Sequence, residues 1–364
     1  SIFHAIFVTA QGAVMEVKMK KLFAFLASAL MVLSLAACSN NGGGNNDKPT
    51  DDGGAGTGTD KKVYNVGVSI YKFDDNFMTL YRKEIESYFK TLNTDEVEYK
   101  VTIQDGKGDM AEQTNQIDNF IAQDYDALII NLVQATSAAT VIDKCEAANK
   151  PCIFINREPS EEDMKKDPGM ITYVGADARQ SGKFQGELIA DLPNKGDLNG
   201  DGVLQYVMVV GDPENVDAKY RTEFSISQYQ EVSGLKVEKL DEQRGDWDQA
   251  KGQEIVANAL TQYGDKIEAV FCNNDAMALG AAQAITAAGR KVGEDIYLVG
   301  VDALAEAMDL VSTGGMTGTV LNDHINQSHK AVDCTVQAIN GEKLDAYYWI
   351  DYIKVTPENV AQYK

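Results

Sequence analysis

The stretch Val66-Gly67-Val68-Ser69-Ile70-Tyr71-Lys72-Phe73-Asp74-Asp75-Asn76-Phe77 decides how this chain is read. Its first part is small, β-branched and uncharged, as a buried strand is. It then turns polar and runs straight into a helical pattern over 76–91. The same unit recurs along the chain. Strand-like runs at 63–70, 98–103, 127–132, 152–156, 204–211, 236–241, 267–273, 296–301 and 317–321 alternate with helical patterns. The helical patterns fall at 76–91, 111–122, 135–149, 178–192, 247–262, 275–288, 304–313 and 325–340. Near-continuous Val/Ile/Leu strands between amphipathic helices predict parallel sheets covered on both faces. The alternation occurs once before residue 150 and again after it. An α/β chain of two doubly wound domains is therefore expected, with a single large sheet as the competing arrangement.

In open parallel sheets, ligands bind at the carboxyl ends of the strands. Here those ends are polar: Asn131, Asn156, Asn273-Asn274-Asp275, Asp302 and Asn322-Asp323. Helix N-capping uses the same residue types and is expected to account for about half of them, Asp275 and Asp323 included. The remaining amides and carboxylates suit a ligand covered with hydroxyls, each of which donates and accepts.

The formal net charge is −22 over 364 residues. Loss of residues 1–37 removes Lys18, Lys20, Lys21 and Glu16 and takes it to −24. So acidic a chain disfavours nucleic acid and anionic lipid headgroups as partners. Cys145, Cys152, Cys272 and Cys334 lie in apolar or helical contexts without metal spacing and read as buried small hydrophobes. A Cys145–Cys152 bridge stays open on sequence alone. His324 and His329, five apart on one helix, read as surface or hinge-side residues. There is no G-x-G-x-x-G after a strand, no Walker loop, no H-E-x-x-H and no G-x-S-x-G, so neither a phosphate cofactor nor covalent catalysis has support. An enzyme is not expected. The enzymatic alternative is a glycosidase using Asp75 and Asp302 as its carboxylate pair.

Residues 1–14 contain no Met and read as translated upstream sequence, with Met15 or Met19 as the start beside Lys18, Lys20 and Lys21. The apolar run 22–35 is too short to span a bilayer and reads as the core of a secretory signal. Leu35-Ala36-Ala37-Cys38 resembles the bacterial lipobox, which implies cleavage before Cys38 and its acylation; an ordinary signal peptide with a coincidental Cys is the other reading. Firm anchoring then needs more than one acyl chain. Residues 39–62 are mostly Gly, Asn, Asp, Ser, Thr and Lys, and read as a flexible tether.

Several of these segments, in this order, carry a family resemblance. Val66-Gly67-Val68 through Phe77, Ile129-Ile130-Asn131-Leu132-Val133 and Asn273-Asn274-Asp275-Ala276-Met277-Ala278 are three of them. Val299-Gly300-Val301-Asp302-Ala303-Leu304 and Gly318-Thr319-Val320-Leu321-Asn322-Asp323 complete the set. From about Val66 to about Leu344 the chain resembles the D-galactose/D-glucose-binding proteins of bacterial ABC import and chemotaxis. The resemblance implies a type I periplasmic binding protein fold: two doubly wound parallel-sheet domains joined by a hinge, closing on a pyranose. It implies that Phe77 and Trp247 stack on the two ring faces, whose C–H surfaces are apolar. It assigns hydrogen bonding to Asp75, Asn131, Asp217, Arg221, Asn274, Asp302 and Asn322, with Asp75 at the 4-hydroxyl that distinguishes glucose from galactose. Asp217 and Arg221, four apart, share a helix face. One departure is visible: well-known members carry His two residues before the Asp matching Asp217, and here Asn215 stands there, still able to bond a hydroxyl.

Asp197-Leu198-Asn199-Gly200-Asp201-Gly202-Val203-Leu204-Gln205 reads as the first nine positions of an EF-hand-like loop. Asp197, Asn199 and Asp201 hold positions 1, 3 and 5, Gly202 the turn, the Val203 carbonyl position 7 and Gln205 position 9. The twelfth position is Met208, so a carboxylate must come from elsewhere; the resemblance implies Glu268. A structural Ca²⁺ is expected, an Asx-rich turn without metal being the alternative.

The expected domains are 1–37 (upstream extension and signal peptide), 38–62 (lipidated Cys and linker), 63–150 plus 323–346 (first lobe), and 151–322 plus 347–364 (second lobe). The expected crossings lie near Lys150-Pro151, Asn322-Asp323 and 346–349. The chain is expected to be a monomeric, membrane-anchored extracytoplasmic receptor for D-galactose or D-glucose that serves an ABC permease. A sensing lipoprotein for a chemoreceptor or kinase, and a ribose-type ligand, remain as alternatives.

Overall fold

The computed structural model describes residues 61–166 and 169–364. The expected upstream extension, signal peptide and lipidated Cys38, and all but the end of the linker, lie outside the described residues. The first lobe opens with β1 (Lys62–Ile70), α1 (Asn76–Thr91), β2 (Val97–Asp105), α2 (Met110–Ala122) and β3 (Ala127–Ile130). It continues with α3 (Ala138–Ala148), β4 (Cys152–Ile155), α4 (Glu161–Met164) and β5 (Ile171–Gly175). The second lobe holds α5 (Ala178–Ala190), β6 (Val203–Val210), α6 (Val216–Ser233), β7 (Lys236–Arg244) and α7 (Gln249–Tyr263). It goes on through β8 (Ala269–Cys272), α8 (Asp275–Ala287), β9 (Tyr297–Val299), α9 (Ala305–Thr313) and β10 (Thr319–Leu321). The chain returns to the first lobe for α10 (His324–Ile339) and β11 (Tyr347–Trp349), then ends in the second with β12 (Ile353–Val355).

The first sheet has the order β11-β5-β4-β3-β1-β2, parallel throughout. The second has the order β7-β6-β8-β9, also parallel, and isolated bridges from Val299 and Asp302 continue it to the segment carrying β10. β12 pairs antiparallel with β10. Both sheets thus wind in the same order, and each is covered on both faces. In the first lobe Val66, Val68, Ile129 and Ile153 face α1 and α10, whereas Leu128, Ile130 and Phe154 face α2 and α3. In the second, Val207, Val209 and Val270 face α7 and α8, and Tyr206, Met208 and Phe271 face α5 and α6. This is the period of 2 that strand geometry imposes. Helices α5 and α6 approach so closely that a Cβ on Gly186 would lie 2.3 Å from the Ser225 carbonyl oxygen.

Two expected boundaries are corrected. Lys150-Pro151 is not a crossing between lobes. It is a short helix-to-strand loop: Asn149 ends α3 in a left-handed cap (φ 54°), and the Pro151 carbonyl accepts from Leu128 N at 2.9 Å. β4 and β5 therefore belong to the first sheet, and the chain first crosses at residues 176–177, just before α5. The tail 347–364 does not belong wholly to the second lobe, because β11 pairs parallel with β5 and the last crossing falls at 350–352. A proline reads as punctuation, but the neighbouring strand decides what it punctuates. Cys145 and Cys152 are both buried and unbridged.

Candidate ligand-binding cleft

Between the lobes, loops following β1 and β4 face loops following β6, β7, β8, β9 and β10. The walls have closed to a narrow cavity of about 30 Å³, so a sugar-sized ligand enters only as they part.

The first-lobe wall consists of Tyr71, Asp75, Phe77, Met78, Asn156 and Arg157. Asp75 is the N-cap of α1: its Oδ1 accepts from Met78 N at 2.7 Å, and its Oδ2 accepts from the Tyr71 hydroxyl at 2.6 Å. Phe77, 6% exposed, is braced edge-on by Tyr81 and His324 at 6.0 and 6.3 Å. The Arg157 guanidinium lies 3.8 Å from the Tyr71 ring centre and donates to the Val133 carbonyl. Burial and the Asp75 charge push the Tyr71 phenol well up, so it stays a donor.

The second-lobe wall consists of Asn215, Asp217, Arg221, Trp247, Asn274 and Asp302, with Asn322 at the crossing into α10. Asn215 caps α6 through Asp217 N (3.0 Å), and Asn274 caps α8 through Met277 N (3.0 Å). Arg221, 3% exposed, donates to the Asn273 carbonyl (2.8 Å), the Tyr352 hydroxyl (3.0 Å), Ser181 Oγ (3.3 Å) and Asp217 Oδ2 (3.5 Å). Burial raises the Asp217 carboxyl, with Arg221 and Arg157 pulling against it. Burial raises Asp302 well above the carboxylate range, against the pull of Arg221. Asn322 donates to Asp302 Oδ1 at 3.2 Å and accepts from Gln327 at 2.6 Å. The Trp247 indole sits over Gly211, where a Cβ would lie 2.2 Å from the ring.

Backbone strain collects here. Asn156 (φ 63°), Asp246 (52°), Trp247 (65°), Asp302 (124°) and Ala303 (53°) all occupy positive φ without being glycine. Such residues cost of order 1–3 kcal/mol each and persist only where the surroundings over-determine them.

Of the expected cleft residues, Asp75, Phe77, Asn215, Asp217, Arg221, Trp247, Asn274, Asp302 and Asn322 line the cavity. Asn131 does not. It is fully buried behind the wall, accepting from Tyr71 N (3.1 Å) and donating to the Ile155 carbonyl (3.3 Å) and Asn156 Oδ1 (3.1 Å). Its amide is spent joining β1 to β4, and Asn156, one strand over, stands at the wall instead. Tyr71, Met78 and Arg157 were also missed. Asp323 caps α10 as expected, but Asp275 is no cap: it is buried, accepting from Thr319 Oγ1 (2.7 Å) and Leu304 N (2.9 Å), with its carboxyl pushed up to about 6 by burial. His324 is half-buried behind Phe77, and His329 bonds Glu84 at 2.7 Å on the outer face.

The loop 197–205 lies in the second lobe and does not touch this cavity. Gly200 and Gly202 take φ of 76° and 81°. Asp197, Asn199 and Asp201 accept from Gly200 N, Asp201 N and Val203 N at 2.7–2.9 Å. Asn199 bonds Gln205 (3.2 Å), which bonds Asp201 (3.0 Å). Glu268, 2% exposed, accepts from Leu198 N, Asn199 N and Gln205 N at 2.7–3.0 Å. Burial raises its carboxyl, and those three N–H groups oppose the rise. Among the described residues no three His, Cys, Asp or Glu side chains gather as a metal cluster.

Comparison with known proteins agrees with this geometry. Residues 66–343 match the family described as a periplasmic binding protein domain. The D-galactose/methyl-galactoside binding periplasmic protein of Haemophilus influenzae is 35% identical over 311 residues, covering 82% of this chain and 91% of that one. A putative rhizopine-binding protein of Rhizobium meliloti is 32% identical over 302 residues, 82% of this chain and 92% of that one. An ABC transporter solute binding protein from Bacillus halodurans, solved with bound myo-inositol, aligns with TM-score 0.73 at 30% identity over 84% of this chain and 98% of that one. With two parallel sheets closing on a cleft at their strand ends, this chain belongs to the periplasmic binding protein family.

Proposed function

We propose that this chain is a receptor that captures D-galactose or D-glucose between its lobes and delivers it to an ABC importer. The observation that carries this is the make-up of one cavity: an aromatic ring from each lobe, Phe77 and Trp247, surrounded by Asp, Asn and Arg side chains. Aromatic faces suit the apolar C–H faces of a pyranose, and the polar ring suits its hydroxyls. Both walls gain contacts only in the closed arrangement, so the ligand favours closure. No chemical step is involved. The raised Asp302 carboxyl follows from burial, and it is already bonded to Asn322. A cyclitol is the second reading, favoured by the myo-inositol-bound and rhizopine-binding relatives.

Calorimetric titration with D-galactose, D-glucose, myo-inositol and D-ribose tests this. Tight binding of either hexose supports the first reading. Binding of myo-inositol alone replaces it with the second, and release of product from a chromogenic galactoside overturns both.

Two further parts belong to the proposal. Lipid at Cys38 would tether the receptor outside the cell, and mass spectrometry of the mature N-terminus checks it. Ca²⁺ would occupy the 197–205 loop, held by Asp197, Asn199, Asp201, Gln205, the Val203 carbonyl and Glu268. Support comes from the oxygen spacing, the left-handed turn at Gly202 and the buried carboxylate of Glu268 behind the loop. Chelation is expected to lower Tm, with Ca²⁺ and not Mg²⁺ restoring it; the loop lies outside the cavity, so sugar affinity of the folded protein should hold.

A further inference from the structure

One ion pair joins the two walls directly. Arg157 follows β4 in the first lobe, Asp212 follows β6 in the second, and their side chains meet at 3.7 Å. Among the described residues no other ion pair runs from one lobe to the other. We infer that Asp212 is a positioning residue for capture: paired with Arg157, it holds the cleft closed without touching the ligand.

Each partner is fixed from its own side. Arg157 is clamped by the Tyr71 ring and the Val133 carbonyl. Asp212 Oδ1 accepts from Glu214 N at 3.1 Å and from Arg244 Nη2 at 3.5 Å. Arg244 and Lys251 both bond Asp246, the residue before Trp247. The pair therefore ties the first wall to the loop that carries the indole. Asp212 is absent from the inner cavity wall. It lines an outer compartment of about 390 Å³ that shares Tyr71, Arg157 and Trp247 with the inner one. It thus stands at the cleft's mouth, beyond the ligand.

The two side chains are 4% and 21% exposed, so closure removes both from most of their water. Desolvation offsets much of the attraction in such a pair. The contact therefore biases closure rather than locking it. Apparent affinity scales with the fraction of closed, binding-competent protein. Loss of the latch must then weaken every ligand by one common factor, whereas loss of a ligand-contacting group changes the ratios between ligands.

Asp212→Asn is the test, because an amide oxygen keeps the turn bond to Glu214 N while the charge is lost. D-Galactose, D-glucose and myo-inositol are titrated into both proteins at low and high salt, and small-angle scattering is recorded without ligand. For each ligand that binds, Kd is expected to rise by the same factor, about threefold to tenfold, through faster dissociation. Added salt is expected to weaken the wild type towards the variant while moving the variant little. The ligand-free radius of gyration is expected to be larger in the variant. Unequal factors would make Asp212 a ligand contact, and unchanged Kd and radius would remove the latch. The inference rests on the receptor reading only for its ligands. If none of the three binds the wild type, that ligand assignment fails, and the ligand-free scattering still decides the latch. Asp212→Ser repeats the comparison should Asp212→Asn unfold.

Discussion

The two walls of the cleft use similar strand ends but hold them differently. On the first wall the one carboxylate, Asp75, has both oxygens engaged by its own helix and by Tyr71, and only Asn156 has strained backbone. On the second wall Asp217, Arg221 and Asp302 are all 5% exposed or less, and four residues around them hold positive φ. Buried charge and strain are costly, and networks such as the four bonds of Arg221 offset that cost. The second wall is thus the pre-organised platform, and the first closes over it.

Removal of the centre of that platform should have the largest effect. Arg221→Met leaves the Asn273 carbonyl and the Asp217 carboxylate buried without their cation, and should cost about 3–5 kcal/mol of unfolding free energy. Arg157→Met, on the first wall, loses the guanidinium over Tyr71 and the bond to the Val133 carbonyl but leaves Asp212 paired with Arg244, and should cost about 1–2 kcal/mol. Denaturant melts of both variants measure the contrast, and equal losses would break the distinction between the walls.

The aromatic pair sharpens it. Trp247→Ala removes a ring held by strained backbone over Gly211 and should raise the ligand's Kd about a hundredfold, roughly 2.7 kcal/mol. Phe77→Ala should raise it about tenfold. Calorimetry reads both, and a larger loss from Phe77→Ala would reverse the assignment of platform and lid.

Much of this was legible in the sequence. The long apolar strand β1, followed by the capped amphipathic helix α1, carries its own signal, and the polar strand ends gave the positions of Asp75, Asn274 and Asp302; α6 was not read as a helical run, because its apolar residues do not gather on one face. β11 and β12 were not legible, because three-residue strands acquire their pairing from the sheet they join. Their absence misplaced the boundary in the tail, and the unread β5 misplaced the one at Lys150-Pro151. Asn131 and Asn156 show a subtler failure: both are Asn at a strand end, and only the packing of β1 against β3 and β4 decides which amide is consumed by backbone. Arg157 follows Asn156 directly, but nothing local marks an arginine whose partners, Tyr71, Val133 and Asp212, come from three separate strand ends.

The smallest effect expected is a pH dependence seated where the walls meet near the first crossing. Glu158, next to Arg157, has its carboxyl raised to about 7. Burial is the main cause, Arg179 pulls it down, and Asp217 and Asp177 push it further up. A carboxyl whose folded pKa exceeds its unfolded value of about 4.3 contributes stability that is complete below the unfolded pKa. That contribution is lost as pH rises to 7 and changes no further above it. Glu158→Gln never ionises. Its Tm should match the wild type near pH 4.5, exceed it progressively up to pH 7, and stay above it by a constant margin beyond. Solvent around a partly exposed side chain keeps that margin under about 1 kcal/mol. A variant Tm that instead fell below the wild type at neutral pH would mean that Arg179 stabilises the ionised carboxylate. The second lobe would then attract Glu158 across the crossing instead of burying it, and the acidic platform would extend one residue further onto the first wall.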